Sequence, residues 1–181
     1  MSYNLKKVSD KLTLGSIELL HSHSFFNGRK FPQSYINFAE NYGYGLSCNL
    51  FIIYVPIENY PDSFFIRSQE IIGTYQDVLD NEDELWFDIE PDLSYNKLKD
   101  LIPFAMSENG HYLFWDIESE NSEEFDIYIT DFKGLGFTKT GENLYDFLEK
   151  LTSKNKVKKI LPFTESSLPA TFEPININPS S

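Results

Sequence analysis

Three features of the sequence predict an α+β fold, an antiparallel β-meander with helices packed on it. The first is residues 101–116, two apolar runs flanking Asn109-Gly110. Asn-Gly most readily takes the positive φ that a type I′ turn requires, so the stretch reads as a β-hairpin. Tyr112, Leu113, Phe114 and Trp115 give its second arm the bulk of a strand buried on at least one face. The second feature is residues 125–130. Phe125, Ile127 and Ile129 alternate there with Asp126, Tyr128 and Thr130, the period of a third strand with one wet face. The third is a pair of helical stripes, one on each side of the meander. Ile71, Ile72, Tyr75, Val78 and Leu79 precede it, and Leu144, Phe147, Leu148 and Leu151 follow it.

The other elements follow in chain order. Residues 1–15 are polar and expected to be partly loose. Ser16 is placed to cap a short helix running to His23, with Ile17, Leu19 and Leu20 apolar. Phe25-Phe26-Asn27-Gly28 breaks it. Pro32 then suits the first turn of a helix, where its missing N–H costs nothing. Tyr35, Ile36, Phe38, Ala39 and Tyr42 keep helical spacing until Gly43-Tyr44-Gly45 stops the helix. Residues 50–55 form a continuous apolar, β-branched run ended by Pro56, the pattern of a central strand. Residues 63–79 carry the first stripe, 85–89 read as a short strand, and 91–100 connect to the hairpin. Residues 133–136 form a turn, and 135–138 add an edge strand. From Lys154 the chain is basic, with Lys156, Lys158 and Lys159. It is then punctuated by Pro162, Pro169, Pro174 and Pro179. That composition predicts an extended, surface-running tail. The organisation is one domain over residues 1–153 and a basic, then Pro-rich, C-terminal extension over 154–181.

The length of 181 residues suffices for a sizeable core, and 16 Phe and 11 Tyr exclude a disordered composition. Fifteen basic against 28 acidic residues give a net charge of −13. Such a field repels nucleic acid and anionic membranes and attracts basic partners. Cys48 is the only cysteine, so no internal disulfide forms. With no signal peptide at the N-terminus, a reducing cytoplasm is the expected location. No apolar run reaches the roughly 18 residues that a membrane helix needs.

Half of the acids fall in two runs. Asp80, Glu82, Asp83, Glu84, Asp88, Glu90 and Asp92 are seven carboxylates in 13 positions, and Asp116, Glu118, Glu120, Glu123, Glu124, Asp126 and Asp131 are seven in 16. Charge runs are usually solvated faces. The functional reading is an anionic patch that competes for a basic surface, raising association rate more than final affinity. Affinity needs buried anchors, and aromatics beside carboxylates suit that task. Trp86 and Phe87 fit this description, as does Tyr128; ordinary core packing also accounts for them, and for Trp86 it does so more simply. The partner-binding candidates are therefore Glu82, Asp83, Glu84, Trp86, Asp88, Glu118, Glu120, Glu123, Glu124 and Tyr128.

Catalytic and metal chemistry finds little purchase. Clustered loop acids show no split between a raised and an ionised carboxyl, which glycoside hydrolysis needs. Asp88-x-Glu90-x-Asp92 lacks the glycine and distal glutamate of a calcium loop. His21 and His23, two apart on a helix, diverge and have no further ligand nearby. His111, just past the hairpin turn, is expected to be exposed. Cys48 has no evident base and reads as a small buried hydrophobe. Gly43-Tyr44-Gly45 and Gly134-Leu135-Gly136 lack the lysine of a phosphate loop. The lysines of 150–159 complement a helix C-terminus. The chain is expected to be non-enzymatic, with no cofactor and no metal.

Three pieces resemble one known family. Phe31-Pro32-Gln33-Ser34-Tyr35-Ile36-Asn37-Phe38, then Gly43-Tyr44-Gly45, resembles the Leu-Pro-x-x-Tyr-x-x-Phe…Asn-Gly-Gly opening of the SMI1/KNR4 proteins of the SUKH superfamily. Phe31 stands where that pattern has Leu, and Tyr44 separates the two glycines. Ile102-Pro103-Phe104-Ala105, Asn109-Gly110 and Leu113-Phe114-Trp115-Asp116 resemble its Pro-Phe-Ala strand, glycine turn and strand ending in Asp. Asn143-Leu144-Tyr145-Asp146-Phe147-Leu148 is similar to its closing helix. Together they span about residues 12–151. All three pieces are structural, and none is a chemical site. The resemblance implies an α+β domain and, for bacterial members, an immunity protein. Such a protein binds and neutralises a cognate polymorphic toxin, commonly a nuclease, by occlusion. Fungal members imply the alternative, an intracellular regulator or scaffold in cell-wall synthesis. An unrecognised hydrolase would instead require a concave pocket with a converging nucleophile and base.

Overall fold

The computed structural model describes residues 3–80, 95–131 and 136–177. In chain order the elements are β1 (Lys6–Lys7), α1 (Ile17–Ser22), α2 (Gln33–Asn41), β2 (Gly45–Ser47), β3 (Phe51–Ile53), α3 (Phe64–Asp80) and α4 (Tyr95–Leu98). After these come β4 (Leu101–Ser107), β5 (Tyr112–Asp116), β6 (Asp126–Thr130), β7 (Phe137–Gly141), α5 (Leu144–Thr152), a 3-10 turn at Val157–Lys159 and β8 (Thr171–Pro174). The described strands form one eight-stranded sheet in the order β1-β8-β2-β3-β4-β5-β6-β7. All neighbours are antiparallel except β1 and β8, which are parallel. The predicted meander, β4-β5-β6, is present but lies toward one side of this sheet, next to edge strand β7, and the run at 50–55 supplies central β3. Residues 85–89, read as a strand, and the side chains of Val78 and Leu79 lie outside the described residues. Among the described residues no helix is long and apolar enough to cross a membrane.

The sheet gathers its helices around Trp115. The indole lies parallel on Phe104, with ring centroids 4.1 Å apart and planes 2° apart. Tyr35 of α2 meets it edge-on at 4.8 Å, and Phe64 at the start of α3 lies 5.8 Å away. The buried Tyr35 hydroxyl donates to the Tyr54 carbonyl at 2.6 Å, so the ring is anchored at both ends. Helix α5 packs Phe147 edge-on against Phe51 of β3. All four apolar residues of its stripe are buried, as their i, i+3, i+4, i+7 spacing requires. On the other face of β5, Phe114 meets Tyr75 of α3 and Phe137 of β7.

Two turns differ from expectation. At Asn109-Gly110 only Gly110 has positive φ, so the turn is not type I′. Ser107 Oγ accepts from the Asn109 and His111 amides at 3.2 and 2.9 Å, closing the loop with a single left-handed residue. His111 is consequently half-buried, its Nδ1 lying 3.0 Å from that hydroxyl, rather than exposed. The type I′ pattern occurs instead between β2 and β3. Cys48 and Asn49 have φ of 55° and 53°, and the Leu50 amide donates to the Ser47 carbonyl at 3.1 Å. Cys48 is fully buried in that turn, and burial pushes its thiol up to about 12.

Both ends of the chain are tied to the sheet. The N-terminal segment is not loose over residues 3–7. Tyr3 stacks on Tyr145 at 4.3 Å and donates to the Ser34 carbonyl, and β1 hydrogen-bonds to β8. The C-terminal extension is not the extended, surface-running tail its prolines predict: it turns over residues 154–166, burying Val157, Ile160 and Leu161, runs extended only beyond that, and folds back onto the domain and enters the core. Strand β8 lies between β1 and β2, with Phe172 fully buried against Phe38 and Tyr42. The approach is so close that a Cβ on Gly45 would meet the Glu173 carbonyl at 2.4 Å and the Phe172 ring at 2.5 Å. Replacing Phe172 by alanine therefore costs about 3–5 kcal/mol in urea unfolding. Phe163→Ala in the same extension, where the ring is 92 % exposed, stays within about 0.5 kcal/mol of the parent.

Candidate functional site

The acidic segment between β5 and β6 is a built loop, and Arg29 builds it. Arg29 follows the break at Phe25-Phe26-Asn27-Gly28, before α2 begins. Its guanidinium donates to four backbone carbonyls of the loop. Nη1 reaches Ile117 and Ser119 at 2.8 Å each, and Nη2 reaches Glu124 at 3.0 Å and also Asn121. The same group lies over the Phe125 ring, 4.3 Å from its centroid. A planar fork with five donors suits this task, and a lysine ammonium does not. Asn27 adds a second clamp. Its side-chain amide donates to the Ile117 carbonyl and to Glu118 Oε1, both at 2.9 Å. From within the loop, Asn121 Oδ1 accepts from the Glu123 and Glu124 amides.

The loop is also fastened to α2. Pro32 at the helix start has no side chain that can cap it. Glu124 takes over that role from across the chain. Its carboxylate accepts from the Ser34 amide at 2.8 Å and from the Ser34 hydroxyl at 2.6 Å. The negative charge sits at the positive end of the helix dipole. Ser34 Oγ in turn accepts from the Leu144 amide at the start of α5, at 3.1 Å. Two helix starts and the acidic loop thus meet at one serine.

The predicted site residues divide accordingly. Glu118, Glu120 and Glu123 are exposed on the clamped loop. Glu124 is half-buried and committed to Ser34, so it holds the loop rather than facing outward. Tyr128 is not on a wet face, since it is only 8 % exposed. It is paired in register with Phe114 and Lys139, and Asp116, 3 % exposed, holds Lys97 at 2.5 Å beside it. Tyr128 lines an open polar cleft together with Lys139, Thr140, Gly141, Glu142 and Lys150. Glu82, Asp83, Glu84, Trp86 and Asp88 lie outside the described residues, as does the calcium-like spacing at 88–92. Among the described residues no group of three His, Cys, Asp or Glu is placed to hold a metal ion. His21 pairs with Glu40 at 2.8 Å, whereas His23 packs among Phe25, Phe31 and Phe65.

Sequence reasoning missed Arg29, Asn27 and Ser34. One signal was present: the chain has only two arginines among 15 basic residues. Both are placed where several acceptors converge, since Arg67 serves Tyr54, Glu70 and Asp62.

A family model described as SUKH_6, SMI1-KNR4 cell-wall, matches residues 27–148 of this chain. The chain belongs to the SMI1/KNR4 family. The matched region runs from the Asn27 clamp to the middle of α5 and contains the whole acidic loop. No curated protein and no solved structure matches the chain.

Two measurements test the construction of the loop. Arg29→Lys removes the fork, lowers stability on the order of 2 kcal/mol, and speeds amide exchange at 118–124 while β5 and β6 stay protected. Glu124 supplies a pH dependence. Burial raises its carboxyl above the ordinary glutamate range, and the hydrogen bonds from Ser34 oppose this with smaller effect. A folded pKa above the unfolded one gives a contribution that is full below the unfolded pKa and lost as pH rises through the folded one. Glu124→Gln does not ionise, so its stability gains on the parent as pH rises from the ordinary glutamate range through the raised folded pKa. Urea unfolding of both proteins across that range checks the sign.

Proposed function

We propose that this chain is a cytoplasmic immunity protein that binds and neutralises a cognate polymorphic toxin, with a nuclease domain the expected target. Membership of the SMI1/KNR4 family supports the reading at the level of the family. The observation that carries it further is the acidic loop at 117–124, clamped by Arg29 and Asn27 and presenting Glu118, Glu120 and Glu123 to solvent. A nuclease must hold polyanion, so its working surface is basic. A rigid carboxylate loop on a protein of net charge −13 matches that surface and meets it with little ordering cost. The mechanism is stoichiometric occlusion. The field steers encounter over about a Debye length, roughly 8 Å at physiological salt, and apolar contacts then hold the complex. No bond is made or broken by this chain.

A second reading is a regulator or scaffold in cell-wall synthesis, and the words "cell-wall" in the description of the family model favour it. The two differ in partner. Calorimetry with the toxin domain encoded beside the gene, at low and at high salt, separates them. The immunity reading expects tight one-to-one binding that weakens with salt, and no binding at either salt overturns it. Within that reading, Glu118→Gln, Glu120→Gln and Glu123→Gln together slow association about tenfold at low salt. Dissociation is left nearly unchanged.

A further inference from the structure

Beside the acidic loop lies an apolar cleft lined by His23, Phe25, Phe26, Phe65, Ile72 and Ile102. Its volume is about 180 Å³. Small-molecule sites begin at roughly 300 Å³, so this cleft has room for one large side chain rather than a ligand of metabolite size. Its wall is uncharged at neutral pH. Burial holds the His23 imidazole below its ordinary pKa, and Lys30 adds to the effect. The Lys30 ammonium is turned to the Ser22 carbonyl at 2.9 Å.

Phe26 is the unusual member. It is 72 % exposed in a chain whose other large aromatics are mostly core. Its neighbours in sequence fix that exposure. Phe25 is buried edge-on against Phe31 and Phe125, and the Phe25 amide donates to the Arg29 carbonyl. Asn27 is clamped to Ile117 and Glu118. Phe26 is therefore held outward between two anchored residues, one position from the residue that touches Glu118. Exposed aromatic surface beside fixed carboxylates is the pairing expected of an interface anchor.

We propose that Phe26 and this cleft form the apolar anchor point of the partner surface, accepting one large apolar side chain that is flanked by Lys or Arg on a basic protein. This rests on the immunity reading and adds to it where the partner is held. Glu118 and Glu120 supply the complement to the flanking cations, and the cleft takes the side chain between them.

The experiment uses the full chain and the toxin domain encoded beside the gene, by calorimetry and stopped-flow at low and high salt. Parent protein is measured first. If it does not bind, the immunity reading falls and the anchor falls with it. If it binds, Phe26→Ala is expected to weaken binding about tenfold or more at both salts, chiefly through faster dissociation. Thermal unfolding should be unchanged, because the ring is mostly in water already. Phe163→Ala is the control, a still more exposed aromatic on the C-terminal extension, and it is expected to bind like the parent. Parent-like binding by Phe26→Ala overturns the anchor while leaving the immunity reading standing. Equal loss in Phe26→Ala and Phe163→Ala also overturns it, since the effect would then be one of exposed aromatics in general.

Discussion

The stack of Trp115 on Phe104 is the contact on which the rest of the molecule depends. It is the place where β4, β5, α2 and α3 are all within reach of one ring. Phe25, Phe31, Tyr35, Phe64, Phe104 and Phe125 have centroids between 4.1 and 6.3 Å from the indole. Their ring planes mostly cross rather than align, as aromatic quadrupoles prefer, and the parallel Phe104 contact is the exception. The bulge between Pro103 and Ala105 coincides with that exception. An extra residue in β4 re-aims one side chain, and the chain uses it to lay a phenyl ring flat on the indole.

That core also fixes the surface. Phe25 and Phe125 both pack near Trp115, and each is the buried end of a segment whose other end is exposed. Phe25 leads into Phe26 and the Asn27 clamp. Phe125 ends the acidic loop and is the ring over which Arg29 lies. Arg29 then spans the gap between the two segments with hydrogen bonds to carbonyls rather than to carboxylates. This choice matters electrostatically. A guanidinium paired with Glu118 or Glu120 would cancel a charge the loop presents. Spent on backbone oxygens, it organises the loop, and among the described residues no neutralising cation is bonded to the three outward carboxylates.

The elements with strong local patterning were legible in the sequence. The period-two run of β6, the stripe of α5 and the Ser16 cap of α1 were each set by residues within a turn or a strand of one another. The family resemblance was legible for the same reason, since its motifs are local. Contacts between distant residues were not legible. Glu124 looks like one more acid in a run, and only the lack of a capping side chain 92 positions earlier, at Pro32, gives it a separate task. Tyr128 alternates with apolar residues and so looks wet, yet β7 and the Lys97–Asp116 pair cover it. The hairpin turn failed for a related reason. Asn-Gly can take two positive φ values, but the Ser107 hydroxyl offered the turn amides a better acceptor than that geometry would. Strand β8 carries two prolines close by, which demote a strand on propensity alone. It exists because Gly45 leaves the space and Phe172 fills it.

The arrangement divides labour between charge and apolar area. Exposed carboxylates act at a distance and are screened by salt, so their gain is in how often partners meet. They contribute little to how long a complex lasts, because each must shed water to touch a cation. Residence needs apolar surface removed from water, and in the proposed complex Phe26 and its cleft are the source of it near this loop. Both features are fixed to one residue, Asn27, whose amide holds the loop and whose backbone carries Phe26. On the proposed reading, a partner steered by the loop arrives within one residue of the apolar contact. Rotational search after encounter is the step that ordinarily lowers association rates far below the diffusion limit. In the proposed complex a short rigid link between the steering charges and the anchor narrows that search, and it does so through a segment of four residues, Phe25 to Gly28, that sequence pattern alone marks only as a break.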